Sequence, residues 1–177
     1  NIPGEHNVYN ALFAIAAGIH FGVEDTEIVR ALAKFRPAGM RMDLIPCNGF
    51  TIINDCYNAA PDSMKAALKV LGAYEGKKIA VLGDIACLGE YSYEAHLGVG
   101  ALAAKAADEL FTVGEQARLI AQGAFEGGMD SAKIHSFDEV AELLPQLPAA
   151  LESGCHVLVK ASRVMELERV TKFLSQL

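Results

Sequence analysis

Short apolar runs that alternate with helical patterns constrain this chain more than any other feature of its sequence. Ile79-Ala80-Val81-Leu82 and Val157-Leu158-Val159 are apolar without interruption, which is typical of strands buried on both faces. Helical patterns separate such runs along the chain, and parallel strands need crossover connections of this kind. We therefore predict an α/β fold with a mostly parallel, Rossmann-like sheet and helices on both of its faces.

Two helical patterns and a hairpin come before this alternation. The helices are predicted at residues 7–19 and 26–35, and Pro37-Ala38-Gly39 then breaks the chain. The Asn48-Gly49 pair favours a tight turn between strands at 42–46 and 50–54, so we expect an antiparallel strand at the edge of the sheet. Further strands are predicted at 78–82, 110–113, 134–137 and 156–160, and further helices at 63–74, 92–107, 115–123, 138–151 and 165–174. Pro145 and Pro148 are expected to end the helix at 138–151 early.

Composition limits the partners and the compartment of the protein. The net charge is −7 and the sequence has no block of Lys and Arg, which argues against a nucleic-acid partner. The four cysteines form no CxxC pair, so we interpret them as free thiols in a reducing cytoplasm. No apolar run approaches the roughly 20 residues of a membrane span. No zinc-ligand spacing occurs, so we predict no metal site within the chain. Because the first residue is not Met, we expect the chain to be part of a longer protein.

Polar residues gather directly after the predicted strands. In an open sheet of this class, ligands bind beyond the carboxyl ends of the strands. The segments at these ends are residues 54–58, 83–84, 114–115 and 160–163, and the first and last are the richest in polar side chains. They favour a binding site, although Asn, Asp and Ser at such positions can also simply cap helices and shape turns.

Three charged residues in these segments suggest the kind of ligand. Lys160 and Arg163 flank a strand-to-helix turn, where two cations beside a helix N-terminus make an anion site. Asp55 could accept two hydrogen bonds from a ribose diol, or it could cap a turn. Among the histidines, only His6 and His96 remain open as site residues, because they lie near Gly-rich or polar segments.

The sequence contains neither of the two common phosphate-binding motifs. There is no G-x-x-x-x-G-K-[ST] loop and no G-x-G-x-x-G fingerprint. Gly83 and Gly89 come near the spacing of the first motif, but five residues separate them where the motif has four. The residue after Gly89 is Glu90 where the motif needs Lys, and a carboxylate repels phosphate. We therefore expect this chain alone not to hydrolyse ATP.

Five segments of the chain, in the right order, resemble the Mur ligases. Four of them resemble the family patterns D-S-Y-N-A-N-P-x-S-M, V-L-G-D-M-x-E-L-G, H-x-x-V-G and V-K-G-S-R, and the first resembles the segment that closes the family's central domain. The segments are PGEHNVYNAL (3–12), DCYNAAPDSM (55–64), VLGDIACLG (81–89), HLGVG (96–100) and VKASR (159–163). The variant Tyr57-Asn58-Ala59 favours the members that add D-Ala-D-Ala.

The resemblance implies a three-domain cytoplasmic enzyme of peptidoglycan biosynthesis. In such an enzyme, ATP phosphorylates the carboxylate of UDP-N-acetylmuramoyl-tripeptide, and D-Ala-D-Ala then attacks the acyl phosphate. By this resemblance, residues 1–37 are the helical end of the central ATPase domain and residues 38–177 are the C-terminal domain. The phosphate loop and most Mg²⁺ ligands would lie outside this chain, which would be inactive without the N-terminal and central domains.

The resemblance also implies roles for single residues. Asn7 and Asn10 match polar positions near the adenine, and Asp55 matches the acid that binds the ribose. Arg41 matches a catalytic arginine that reaches the ATP phosphates, where negative charge develops during transfer. The positions that match the substrate-binding region are Tyr57, Asn58, Asp62, Asp84, Lys160, Ser162 and Arg163, and either Lys160 or Arg163 would suit the carboxylate of the dipeptide.

Four residues depart from the family pattern. Met40 and Ala161 each replace a glycine, and Ala60 and Cys87 replace Asn and Glu. Alanine at position 161 would be strained if that position needs a positive φ. Two alternatives therefore stay open: a sister Mur or folylpolyglutamate-type ligase with another amine substrate, and a non-enzymatic binding module of the same fold.

Overall fold

The computed structural model describes residues 2–37 and 39–177, and the chain divides into two compact units within the predicted break at Pro37-Ala38-Gly39. The described residues do not include Asn1 and Ala38, at which the two predicted domains, 1–37 and 38–177, begin. In the first unit, α1 (Glu5–His20) and α2 (Asp25–Lys34) are the two predicted helices. Ile28 is buried against Gly18, where a Cβ atom would lie only 2.8 Å from its side chain.

The second unit is built on a six-stranded sheet with the order β1-β2-β6-β3-β4-β5. The β1 strand pairs antiparallel with β2, and every other neighbouring pair is parallel. The strands are β1 (Asp43–Pro46), β2 (Thr51–Asn54), β3 (Lys78–Gly83), β4 (Glu109–Val113), β5 (Ile134–Phe137) and β6 (His156–Lys160). The prediction of a mostly parallel α/β sheet with an antiparallel edge strand is confirmed.

Helices cover both faces of this sheet. They are α3 (Pro61–Gly72), α4 (Ser92–Ala106), α5 (Ala117–Glu126), α6 (Val140–Leu143) and α7 (Glu168–Leu174). One core joins α6 and α7 to alternate strand residues such as Val81, Phe111 and Val159. The intervening residues, among them Leu82 and Leu158, are equally buried and face the opposite layer of α3, α4 and α5, because successive side chains point to opposite faces of a strand.

Two helices differ in length from their predictions. The α6 helix ends at Leu143 and continues as a 3₁₀ turn over Leu144–Ala150. Pro145 and Pro148 lack the N–H groups that an α-helix needs, so the predicted early end is confirmed. The α7 helix begins only at Glu168, because a 3₁₀ turn occupies Arg163–Met165 and Glu166 then takes a left-handed conformation with φ of 49°.

The strand order determines which loops are neighbours. Because β6 lies between β2 and β3, the loops that follow the carboxyl ends of these three strands lie side by side. Most of the predicted binding residues are in these loops. Among residues 2–37 and 39–177, no helix combines the length and the apolar character that crossing a bilayer requires.

Candidate functional site

Lys160, the last residue of β6, is at the centre of the loops that follow the strands. Its side chain is only 2% exposed, and its Nζ lies 2.7 Å from Oδ2 of Asp55. The same ammonium donates to the backbone oxygen of Asn58 at 3.0 Å and to that of Asp55 at 3.4 Å. These three acceptors match the three donors of an ammonium group. Lys160 therefore holds the loop after β2 in place and has no donor left for a ligand.

Asp55 joins this loop to the segment before β1. Its Oδ1 accepts the N–H of Met42 at 3.0 Å while its Oδ2 contacts Lys160. Its own N–H donates to the backbone oxygen of Val159 at 3.0 Å. Of the two roles that the sequence left open for Asp55, the structure therefore shows the one of fixing local backbone. The side chain is 14% exposed, so the carboxylate also reaches the surface.

Arg41 is exposed and lies over an aromatic ring. Its Cζ atom is 4.1 Å from the centroid of the Tyr57 ring, within the range of a cation–π contact. The N–H of Tyr57 donates to the backbone oxygen of Met40 at 3.1 Å, which connects the two segments a second time. Within the described part of the chain, Arg41 has no carboxylate partner. Its charge is therefore held in one place and remains free for an anion.

The residues on either side of Arg41 have an unusual backbone. Met40 and Met42 adopt φ of 65° and 50°, the left-handed region that side chains with a Cβ disfavour. Met40 stands where the family usually has glycine, which explains why glycine suits that position. Met42 is buried, and its N–H is the one that Asp55 accepts. Contacts from the loop after β2 therefore help to hold a strained turn.

Ser162 and Asp84 join the loops after three strands. The buried Ser162 accepts the N–H of Ala86 at 2.8 Å through its Oγ, and its own N–H donates to the backbone oxygen of Asp84 at 3.0 Å. Oδ1 of Asp84 accepts the N–H of Ala117 at 2.7 Å, at the start of α5. Gly114 has φ of 113° and lies against this carboxylate, which a Cβ atom would overlap. Both residues were predicted to bind substrate. In the structure their hydrogen bonds connect the loops after β6, β3 and β4.

His96 is a structural contributor whose role the sequence left open. Its ring is fully buried, and its Nε2 accepts the N–H of Ile85 at 3.0 Å. Its Nδ1 lies 2.7 Å from the backbone oxygen of Ser92, so these partners assign a neutral ring with its hydrogen on Nδ1. His96 thereby fixes the loop after β3. The spacing of four residues from Ser92 on α4 was the available signal.

Arg163 is exposed but already has a partner. Its Nη1 and Nη2 donate to the two carboxylate oxygens of Glu168 at 2.7 and 2.6 Å. The guanidinium holds the pKa of Glu168 below its ordinary value. The sequence analysis missed Glu168, although an acidic residue in the first turn of a predicted helix was a signal. The pair shows that Arg163 can present its planar fork to a carboxylate.

The remaining predicted binding residues of this unit differ in exposure. Tyr57 and Asn58 are exposed at the rim of the loop after β2. Asp62 is almost fully exposed and pairs with Lys65 at 3.2 Å, a contact within the first turns of α3. Ala161 is buried and is not among the described residues with positive φ, so the strain considered for it does not arise. Its Cβ atom faces Gly83, where a second Cβ would come within 2.8 Å.

Asn7 and Asn10 lie on α1 in the first unit. Nδ2 of Asn7 donates to the backbone oxygen of Pro3 at 2.8 Å and contacts the His6 ring at 3.1 Å. Nδ2 of Asn10 donates to Oδ1 of Asn7 at 3.1 Å. The two amides therefore form a short chain on one side of α1, and the side chain of Asn10 is exposed.

The chemistry available at this edge of the sheet is anion binding. In the described residues, no group of three or more His, Cys, Asp or Glu is arranged to hold a metal ion. Burial and the nearby Glu168 raise the pKa of the Cys56 thiol to about 11, so it stays protonated at neutral pH. What the site offers is a fixed guanidinium at Arg41, a second at Arg163, and an aromatic ring between the loops.

Comparison with known proteins agrees with this fold and these segments. The profile of the family "Mur ligase, glutamate ligase domain" matches residues 40–163. A UDP-N-acetylmuramoyl-tripeptide–D-alanyl-D-alanine ligase of Bacillus subtilis is 39% identical over 98% of this chain and 38% of its own length. The ligase of the same name from Treponema pallidum is 36% identical over the same shares of both chains.

Solved structures show the same relation. The crystal structure of MurF from Acinetobacter baumannii superposes with a TM-score of 0.88 and 35% identity, over 98% of this chain and 38% of that one. The chain thus spans about 38% of the length of these relatives. Because the family profile covers more than half of the chain, the conclusion is that the chain belongs to the Mur ligase family and carries its glutamate ligase domain.

Proposed function

We propose that this chain is the C-terminal part of a cytoplasmic, ATP-dependent ligase that adds D-Ala-D-Ala to UDP-N-acetylmuramoyl-tripeptide through an acyl phosphate. Residues 1–37 would end the central ATPase domain, and residues 38–177 would be the C-terminal domain. A relative that shares 39% identity with this chain carries the name of this activity. The observation that carries the proposal is Arg41, an exposed guanidinium without a carboxylate partner in the described residues, held over Tyr57 at the ligand-binding edge of the sheet.

The residues of the second unit fit ATP in charge and in hydrogen-bonding capacity. Arg41 offers a delocalised cation that suits phosphate oxygens. Asp55 uses one lone pair of each carboxylate oxygen for Met42 and Lys160, and its exposed edge leaves capacity to accept a ribose hydroxyl. In the first unit, the exposed amide of Asn10, supported by Asn7, fits the polar edge of a purine. Mg²⁺ would be held mainly by groups outside this chain.

In this mechanism, ATP bound with Mg²⁺ supplies the phosphoryl group that activates the substrate carboxylate. Arg41 stabilises the negative charge that develops on the phosphoryl oxygens during transfer. The Tyr57 ring limits the motion of the guanidinium, so less conformational entropy is lost when the phosphates arrive. Arg41 therefore acts by position and charge and transfers no proton.

Arg163 fits the carboxylate of the incoming D-Ala-D-Ala. Its bidentate pair with Glu168 uses two of the five N–H donors of the guanidinium and fixes its orientation, so three donors remain for a second carboxylate. Lys160, the other cation considered for this role, has all its donors engaged. Tyr57 and Asn58 would contact the dipeptide at the exposed rim. Asp62 would act only at the periphery, while Asp84 and Ser162 would shape the loops behind it.

The test is the substitution Arg41→Ala in the full-length protein, with Arg169→Ala on the exposed surface of α7 as the matched control. We expect Arg41→Ala to lower kcat at least about 100-fold, the scale of losing one charge contact in a transition state. The control should stay within about twofold of the parent. A near-normal kcat for Arg41→Ala would remove this residue from the mechanism.

Substrate profiling tests the specificity separately. The full-length protein should turn over with D-Ala-D-Ala faster than with glutamate or other amines. Equal turnover with the other amines would refute the assignment and favour a sister ligase. No amide formation with any amine would favour a binding module of the same fold.

A further inference from the structure

We propose that Lys160 is a positioning residue whose buried ammonium sets the direction of Arg41 through Asp55 and the loop after β2. The inference rests on the proposed function for the role of Arg41, and it removes Lys160 from direct contact with the substrate. The buried ammonium of Lys160 pairs with the Asp55 carboxylate, which in turn holds the strained turn at Met42. Arg41 precedes Met42 in this turn, and its guanidinium lies over the Tyr57 ring.

The first step is the isolation of Lys160 from ligands. A lysine that received a substrate carboxylate would need a free donor directed outwards. The ammonium of Lys160 is instead 2% exposed, and all three of its acceptors belong to Asp55 and Asn58. A buried charge of this kind depends strongly on its partners, because an unpaired charge in the interior is costly. Lys160 and the loop after β2 therefore keep one arrangement.

The second step is transmission through the Asp55 carboxylate. The ion pair holds Oδ2 against Lys160, and a planar carboxylate then has only one direction left for Oδ1. That direction meets the N–H of Met42, directly after Arg41. Without the ammonium, the carboxylate would be free to rotate towards water. The hydrogen bond that holds Met42 would then lose its fixed acceptor.

The third step is the strained turn itself. Met40 and Met42 both adopt left-handed φ, and a non-glycine residue keeps such a conformation only where surrounding contacts hold it. Asp55 supplies the contact at Met42, and the N–H of Tyr57 supplies the contact at Met40. Tyr57 lies between Asp55 and Asn58, the two residues that Lys160 binds. One ammonium thus controls both the backbone of Arg41 and the ring beneath its guanidinium.

Limited proteolysis measures this effect directly. Trypsin cleaves the Arg41–Met42 bond only when the turn opens, and the rate follows the open population when opening is fast. We compare the intact protein with its Lys160→Met variant, and we use cleavage after the exposed Arg118 on α5 as the internal reference. The rate at Arg41 should rise at least about tenfold in the variant, the effect of losing one charge-assisted hydrogen bond.

Lys77→Met is the matched control. Lys77 also forms a largely buried ion pair, with Glu109 at 2.8 Å, and donates to the backbone oxygen of Ala150 at 2.7 Å. Lys77 precedes β3 and therefore lies at the amino ends of the parallel strands, whereas Arg41 lies near their carboxyl ends. Its loss should change cleavage at Arg41 by less than about twofold. An unchanged rate at Arg41 in Lys160→Met, or an equal rise at Arg118, would overturn the proposal.

A double variant keeps the test decisive if Lys160→Met does not fold. Lys160→Met combined with Asp55→Asn removes both charges, so no unpaired charge is left in the interior. The neutral pair no longer fixes the side chain of residue 55, and cleavage after Arg41 should still rise about tenfold. Protection equal to that of the parent would overturn the proposal.

Steady-state kinetics of the full-length protein give the second readout. Lys160→Met should lower kcat, because Arg41 loses its fixed direction, whether or not the KM for D-Ala-D-Ala also rises as the loop with Tyr57 and Asn58 loosens. A selective rise in that KM with kcat retained would mean that Lys160 contacts the substrate, and the proposal would fail. If the parent protein shows no ligase activity, the proposed function fails, while the proteolysis result still decides whether Lys160 holds the turn.

Discussion

Two glycines on α4 give a sharp test of how the helical layer packs. Gly100 is buried against α5, where a Cβ atom would overlap the backbone oxygen of Ile120 and lie 2.7 Å from the nitrogen of Ala124. Gly98, two residues earlier, has no atom within 4 Å of the same hypothetical Cβ apart from its chain neighbours and the backbone of its own helix. Gly98→Ala and Gly100→Ala therefore add the same methyl group, at Gly98 into open space and at Gly100 into the backbone of α5.

The expected magnitudes follow from these contacts. Alanine is better than glycine inside a helix by about 1 kcal/mol, so Gly98→Ala should stabilise the protein by about 0.5–1 kcal/mol. Gly100→Ala has the same gain in propensity, but α4 and α5 must separate because the opposing atoms are backbone. Overpacking costs about 1–3 kcal/mol, and the separation also exposes buried apolar surface. The free energies of unfolding of the two variants should therefore differ by about 2–4 kcal/mol.

Urea unfolding followed by circular dichroism measures this difference, provided that the m-values agree. Gly123→Ala is a second test from the partner helix, since its Cβ would overlap the backbone oxygen of Leu97. It should be destabilising to a similar degree. If Gly100→Ala were as stable as Gly98→Ala, α4 and α5 would not be in contact at Gly100 and Gly123.

Three further predictions concern single side chains. Burial opposes the charge of Glu109, but hydrogen bonds such as that from Lys77 outweigh it and hold its pKa below the ordinary 4.5. The ionised carboxylate contributes stability above its ordinary pKa of 4.5, and this contribution is lost as the pH falls through the lowered pKa of the folded protein. Glu109→Gln should therefore flatten the fall in the free energy of unfolding below about pH 5. Burial raises the pKa of Cys56 to about 11 and shields its thiol. Iodoacetamide at pH 7 should therefore modify the exposed Cys87 at least about 100 times faster than Cys56, as measured by mass spectrometry. Asp84→Ala should lower the free energy of unfolding by about 1–2 kcal/mol, since the first turn of α5 loses its capping acceptor, and an unchanged thermal midpoint would contradict this.

The elements that were predictable are those with local causes. The uninterrupted apolar runs at β3 and β6 follow from burial on both faces, and the Asn48-Gly49 pair produces the hairpin between β1 and β2. Pro145 ends an α-helix wherever the rest of the chain lies, because it lacks an N–H. By contrast, the start of α7 was predicted too early, since Ser162, directly before the turn at Arg163–Met165, is held by Asp84 and Ala86 of the loop after β3.

The candidate site was predictable in its location and less so in its roles. Polar residues after parallel strands indicated a candidate binding edge, and the strand order places the loops after β2, β6 and β3 side by side. Whether a lysine at this edge faces a ligand or a neighbouring loop depends on burial, which no local pattern reveals. Lys160 faces Asp55, and Glu168 engages Arg163 in a pair that the sequence analysis did not anticipate.

The sequence by itself determined the class of fold, the strands and the segments that resemble the Mur ligases, because propensity, periodicity and motif are properties of neighbouring residues. Tertiary structure alone decided the insertion of β6 between β2 and β3, and this insertion places Lys160 beside Asp55. It also decided that Met40 and Met42 are held in left-handed conformations around Arg41. The physical reason is that the ion pair joins Lys160 and Asp55, which are 105 residues apart in the chain, and that the strained turn is held by a carboxylate of this pair.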